Sequence, residues 1–148
     1  MASSTAHVVV IQVNGLERPV FEKLANTATV KPGHLLEIAS GKVQPNATAG
    51  AANVKMVAVE HGFRNTSGTT LNVETAYASG DTVPFIYPQG GDLLNMVLKS
   101  GQNVALGAKL EAATGGEVQA FSTGALIGIA EEAVDASAAA KRIKVRMA

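Results

Sequence analysis

Apolar positions along this chain come in short β-branched bursts separated by Gly, Pro, Asn and Asp. His7-Val-Val-Val-Ile-Gln-Val13 is the first burst, followed by an Asn14-Gly15 turn and an extended segment at Arg18-Pro19. Lys31-Pro32-Gly33 turns the chain into a strand over His34 to Ile38, and Ser40-Gly41 turns it back into Lys42 to Gln44. A loop over Asn46 to Asn53 leads to a strand at Val54 to Glu60, and a polar loop follows over Asn65 to Thr70. Ser79-Gly80-Asp81 precedes a strand at Thr82 to Tyr87. Pro88 to Asp92 then turns the chain into Leu93 to Leu98. Turn signals recurring roughly every 8–12 residues predict an all-β fold, a sandwich or small barrel.

The last quarter tests that reading. Ala130 to Lys141 is rich in Ala and Glu and has helical propensity, but Val134 is its only large apolar residue. A helix there would have no packing face and would be marginal in water. The pattern favours a strand over Leu126 to Asp135, a loop over Ala136 to Ala140, and a final strand over Arg142 to Met147. That final strand alternates Arg142, Lys144 and Arg146 with Ile143, Val145 and Met147. Its basic face reads as the solvated side of a half-buried strand, balanced by Glu131, Glu132 and Asp135. A phosphate-binding stripe is the sharper alternative.

Two segments resemble one another. Val30 to Gln44 and Val104 to Gln119 both read Val-x-x-Gly-x-x-Leu-Glu-x-Ala-Ser/Thr-Gly and then Val-Gln, with one Gly inserted in the second. Each describes a turn at Gly33 or Gly107, a strand, a tight Gly turn and a returning strand. Two copies are too few for a solenoid, so the repeat marks two similar hairpins in one small β domain.

Composition sharpens this picture. Val and Ile together outnumber Leu by 23 to 11, which favours strands, and aromatics make up only 4% with no Trp. The core is therefore built from small aliphatics and is thin, so association contributes to stability. Twelve basic and twelve acidic residues cancel, which argues against nucleic acid or an anionic membrane as partner. The absence of Cys excludes disulfides, thiolate–metal sites and a Cys nucleophile. No apolar run is long enough to span a bilayer, and residues 1–6 lack the features of a signal peptide.

No catalytic constellation emerges. His7, His34 and His61 are far apart and without metal-ligand spacing; His7 and His34 read as strand-edge residues and His61 as part of a His-Gly turn. Gly90-Gly91 and Gly115-Gly116 match no phosphate loop and read as hairpin turns. Glu131 and Glu132 would point to opposite faces of a strand, a poor arrangement for paired acid–base work. The expectation is a protein that is not an enzyme and takes no cofactor or metal.

The C-terminal half carries a series of motifs in order: Tyr77-Ala-x-Gly-Asp81-x-Val, Gly91-Asp92-Leu-Leu-Asn-Met-Val-Leu98, Gly101-Gln-Asn-Val-x-x-Gly107-x-x-Leu-Glu111, Gly116-x-Val118, Ile127 to Asp135, and Arg142 to Arg146. That series resembles the capsid decoration (cement, head-stabilising) proteins of tailed bacteriophages over Val30 to Met147, departing from them at Gly107-Ala-Lys. The resemblance implies a β-tulip or β-clip-like barrel at 30–148, preceded by an N-terminal arm and strand at 1–29. It also implies a virion structural protein on the outer capsid surface, made in the host cytoplasm. Its partners would be the major capsid protein and neighbouring decoration subunits, as a homotrimer or dimer, with no nucleic acid and no membrane. A ligand that binds only the expanded shell stabilises that shell by mass action, and a symmetric oligomer gains avidity.

Val8, Val9, Val10, Ile11 and Val13 form an uncharged β-branched run that must be paired or covered. It is either a strand of the protein's own sheet or, with Met1 to Ala6, a strand added to the capsid or a neighbouring subunit. Other phage subunits (tail tube, spike or fibre base) are the alternative. A biotinyl- or lipoyl-type carrier is a third reading, resting on Lys55-Met56.

Overall fold

The computed structural model describes residues 8–52, 56–60 and 72–148. Thirteen strands are present among them, joined by turns and two short 3-10 segments. They are β1 (Val10–Gln12), β2 (Phe21–Leu24), β3 (Leu35–Ala39), β4 (Lys42–Pro45), β5 (Met56–Ala58), β6 (Thr82–Ile86), β7 (Leu93–Leu98), β8 (Gln102–Val104), β9 (Lys109–Ala112), β10 (Val118–Ala120), β11 (Leu126–Ala130), β12 (Val134–Ala136) and β13 (Lys141–Met147). The expected all-β barrel fold is what the chain adopts.

The ladder β7–β13–β11–β9–β10 is antiparallel throughout and returns to β7 through a parallel pairing of Val118 with Leu98. That closes a five-stranded barrel. The ladder β2–β6–β5–β3–β4 runs the same way and returns to the end of β2 through a parallel bridge between Ala25 and Val43. Residues 21–24, assigned by the sequence to the N-terminal segment, thus pair with β6. β1 lies outside both rings against β7, and β8 with β12 forms a small ribbon.

The two rings match residue by residue. Leu36, Glu37 and Ile38 face Pro45, Gln44 and Val43 in the first; Leu110, Glu111 and Ala112 face Ala120, Gln119 and Val118 in the second. Leu35 pairs with Val57 as Lys109 pairs with Ile129, and Ala58 with Phe85 as Ala130 with Val145. The Gly33 N–H reaches the Ala58 carbonyl at 2.7 Å, and the Gly107 N–H reaches the Ala130 carbonyl at 2.8 Å. Even the polar pair repeats: Gln44 Nε2 donates to Glu37 Oε1 (2.7 Å) and Gln119 Nε2 to Glu111 Oε1 (2.9 Å). The hairpin repeat visible in the sequence is therefore the recognisable part of a duplicated barrel.

Strand alternation fills each ring. Leu36, Val43, Met56, Ala58, Val83 and Phe85 form one buried cluster, closed by Tyr77, whose hydroxyl donates to the Val59 carbonyl at 2.7 Å. The outward faces of β3, β5 and β6 contribute Leu35, Val57 and Ile86 to a second cluster shared with Leu94, Met96, Leu110, Ile143 and Val145 of the second ring. The second cluster thus joins the barrels, while the first fills one ring alone.

Three local expectations are revised. Leu126 to Asp135 is two strands, because bends at Glu131 and Glu132 redirect the chain from β11 into β12, which pairs with β8. Gly90-Gly91 is a turn but not a hairpin: it carries the chain from β6 in one barrel to β7 in the other. His34 is not a strand-edge residue but is buried at the junction of the barrels, against Gly116. His7, His61, Lys55 and the Asn65 to Thr70 loop lie outside the described residues.

Candidate docking surface

The N-terminal run does what an uncharged β-branched segment must, and pairs with the protein's own sheet. Val10 stands opposite Leu94 and Gln12 opposite Leu93, with a bulge between them. The Val9 carbonyl accepts from the Asn95 N–H at 2.7 Å, and the Val9 N–H donates to Glu60 Oε2 at 3.0 Å. The Val9 side chain is fully buried in the shared core and Val10 packs partly against it. Val8 and Ile11 are exposed and Val13 is half-buried. Of the five residues singled out in the sequence, four therefore offer surface and Val9 serves the core.

What fixes this segment is a charge pair invisible in the pattern. Arg18 Nε and Nη2 lie 2.8 and 2.9 Å from the two carboxylate oxygens of Asp92, which also accept from the Asn14 N–H (2.8 Å) and the Gln89 N–H (2.9 Å). Arg18 further donates to the Leu16 and Asn14 carbonyls. Burial alone would raise the Asp92 carboxyl. The hydrogen bonds from Arg18, Asn14 and Gln89 outweigh it and hold the group below its usual range. Asp92 sits in the connection between the barrels, so one buried carboxylate ties the N-terminal segment to both. The Gly-Gly-Asp turn and the Arg18-Pro19 step were the available signals, but 74 residues separate the partners.

A cleft of 450 Å³ runs beside β1, lined by Val10, Ile11, Val13, Val20, Val59 and Ile86, with Glu17, Arg18 and Glu60 at its polar margin. Val20 continues into Phe21, whose ring meets Tyr87 edge-on at 5.3 Å and stacks on buried Phe85 at 6.0 Å. Ile11, Leu16, Val20, Phe21 and Tyr87 are all exposed, so an apolar strip follows the N-terminal segment. Exposed apolar surface of this kind marks interaction sites.

The remaining polar features are structural. Arg146 pairs with Glu131 and Arg142 with Glu74, at 2.9 and 2.8 Å, so the basic stripe of β13 is largely neutralised. Arg142 also donates to the Pro32 and Val73 carbonyls across the barrel junction. A second concavity there, 290 Å³, is lined by Lys31, His34, Glu117 and Lys141 among others. Burial, reinforced by Arg142 and Lys31, lowers the His34 pKa to about 4, so its ring is neutral and its Nδ1 accepts from the Lys31 N–H at 3.1 Å. Glu111 is held low by Gln119 and by the N–H groups of Ser122 and Gly124, which organises the 122–124 loop. Among the described residues no three His, Asp or Glu side chains gather as a metal site, and no helix is long and apolar enough to cross a membrane.

No protein-family model and no curated protein matches the chain. The structural comparison does find a likeness. The chain is similar to the N base of head fiber gp8.5 in bacteriophage phi29. The two superpose with a TM-score of 0.53 over 89% of this chain and 95% of that one, at 15% sequence identity. The likeness to gp8.5 takes in both barrels, since it spans nearly the whole of each chain, and at this identity it is a likeness of fold.

Proposed function

We propose that this chain is a non-catalytic structural protein of a bacteriophage virion. It sits on the outer surface of the head, binds the expanded capsid and stabilises it. The observation that carries this reading is the fold shared with the phi29 head-fibre base over almost the full length of both chains. The ordered series of motifs from Tyr77 to Arg146 supports it independently. The major capsid protein is the proposed partner, and the surface offered to it is the strip of Val8, Ile11, Val20, Phe21 and Tyr87 beside the cleft. Preferential binding to the expanded shell would stabilise that state by mass action. A trimeric assembly would add avidity.

The same comparison favours a second reading, the base of a head fibre, in which the barrels anchor a projecting structure. Co-sedimentation with expanded shells and with procapsids tests the shared element. Saturable binding to expanded shells with a raised shell melting temperature supports the capsid role, and no binding to either form overturns it. Electron microscopy of the loaded shells then separates decoration, which leaves a low even layer, from a fibre base, which leaves projections. Ile11→Asp and Phe21→Asp test the docking strip more cleanly than deleting residues 1–13, because deletion would also remove Val9 from the core.

A further inference from the structure

The two barrels bury non-equivalent faces against each other. The first contributes Gly33, His34, Leu35 and Asn46; the second contributes Asn95 and the 112–116 turn, with Val97 lining the concavity beside His34. Asn46 Nδ2 donates to the Ala113 carbonyl at 3.1 Å, the Gly116 N–H donates to the Asn46 carbonyl at 3.0 Å, and Gly33 lies against the Asn95 carbonyl and Met96 Cα of β7. Such a contact is heterologous: each barrel could in principle offer both faces. The residue-by-residue match between the rings identifies the two faces left over.

On the second barrel, the positions equivalent to Pro32, Leu35 and Asn46 are Leu106, Lys109 and Phe121. All three are exposed, Leu106 at 69% and Phe121 at 41%, whereas their counterparts in the first barrel are buried. On the first barrel, the positions equivalent to Val97 and Ala112 are Leu24 and Ile38, exposed at 47% and 49%, while Val97 and Ala112 are buried. Large apolar side chains thus stand in the open on both unused faces, at the positions the internal junction covers.

We infer that copies of this chain associate head to tail by repeating the internal junction. The Leu106 and Phe121 face of one copy docks on the Leu24 and Ile38 face of the next. The result is a closed ring if the rotation closes and a filament if it does not. This inference rests on the duplication and is independent of capsid binding.

Sedimentation of the full chain with two variants, Ile38→Asp and Leu106→Asp, decides it. Both positions are exposed, so the variants keep the wild-type far-UV CD spectrum. The wild type is expected to be oligomeric, and each variant alone is expected to associate about a hundredfold more weakly because an unpaired carboxylate would be buried. In an equimolar mixture the two variants retain one intact face each and should form a 1:1 dimer and nothing larger. A monomeric wild type at 100 µM (on the order of the weakest useful self-affinity) overturns the inference. So does an oligomer indifferent to both substitutions, or a mixture that forms no dimer.

Discussion

Gly33 and Gly107 occupy the same place in the two barrels, which makes them a matched pair for measuring the barrel junction. Both have left-handed backbones, φ 91° and 84°, and both donate to the equivalent carbonyl of the opposing strand. Replacing either by Ala costs about 1–2 kcal/mol for placing a Cβ in that conformation. At Gly107 nothing lies within 4 Å of the new atom. At Gly33 the new Cβ would come within 2.7 Å of the Asn95 carbonyl oxygen and would also meet the Arg142 guanidinium. Overpacking of this kind adds about 1–3 kcal/mol, since β7 is part of a closed ring and cannot withdraw freely. Gly33→Ala should therefore be the more destabilising by about 1–3 kcal/mol, which at ordinary urea slopes separates the two midpoints by roughly 0.5–2 M. Urea unfolding followed by far-UV CD measures this directly. Equal midpoints would refute the claim that Gly33 is wedged against the second barrel.

Further outcomes follow from the buried polar groups and the N-terminal run. His34 is neutral in the fold with its pKa near 4, below the ordinary 6.5, so the unfolded chain takes up its proton first. Its contribution is complete above about pH 6.5 and lost as pH falls toward 4, by about 3 kcal/mol in all; in pH-dependent urea unfolding, His34→Gln should flatten that window, and an unchanged slope would exclude His34 as its source. Asp92 is held below its usual range, so its share of stability is present above about pH 4 and is lost as pH falls through its folded value. Asp92→Asn should blunt the acid limb of a melting-temperature profile, and Arg18→Ala should release the 14–18 segment to proteolysis while Val9 still anchors β1. Val9→Asp should cost several kcal/mol as an unpaired buried carboxylate, whereas Ile11→Asp should leave the melting temperature within about 2 °C and act on shell binding alone.

The strands of the C-terminal half, Thr82 to Ile86, Leu93 to Leu98 and Lys141 to Met147, were legible in the sequence because short apolar runs, alternating in the last, stand there between Gly, Asn and Asp turns. So was the Val-x-x-Gly-x-x-Leu-Glu hairpin, because a left-handed Gly and a buried Leu must recur wherever that turn is built. Its partners could not be read the same way. Met56 and Phe85 in one ring are Gly128 and Val145 in the other, with Ala58 and Ala130 alike between them, so the duplicated barrel keeps its register while most of these residues differ. Ring closure depends on two parallel pairings, Ala25 with Val43 and Val118 with Leu98, between strands that are not neighbours along the chain, and no local pattern encodes those. The side chains that fix the N-terminal segment stayed hidden for the same reason. Arg18, Glu60 and Asp92 look like ordinary surface charges until the fold brings them to Asn14, Val9 and Gln89. Sequence alone determined that this is a β protein built mainly on small aliphatic side chains, with an uncharged strand in need of a partner. Only the tertiary structure decided which partner: a strand's own alternation dictates which face is buried, but the neighbour it is buried against depends on chain closure over long separations.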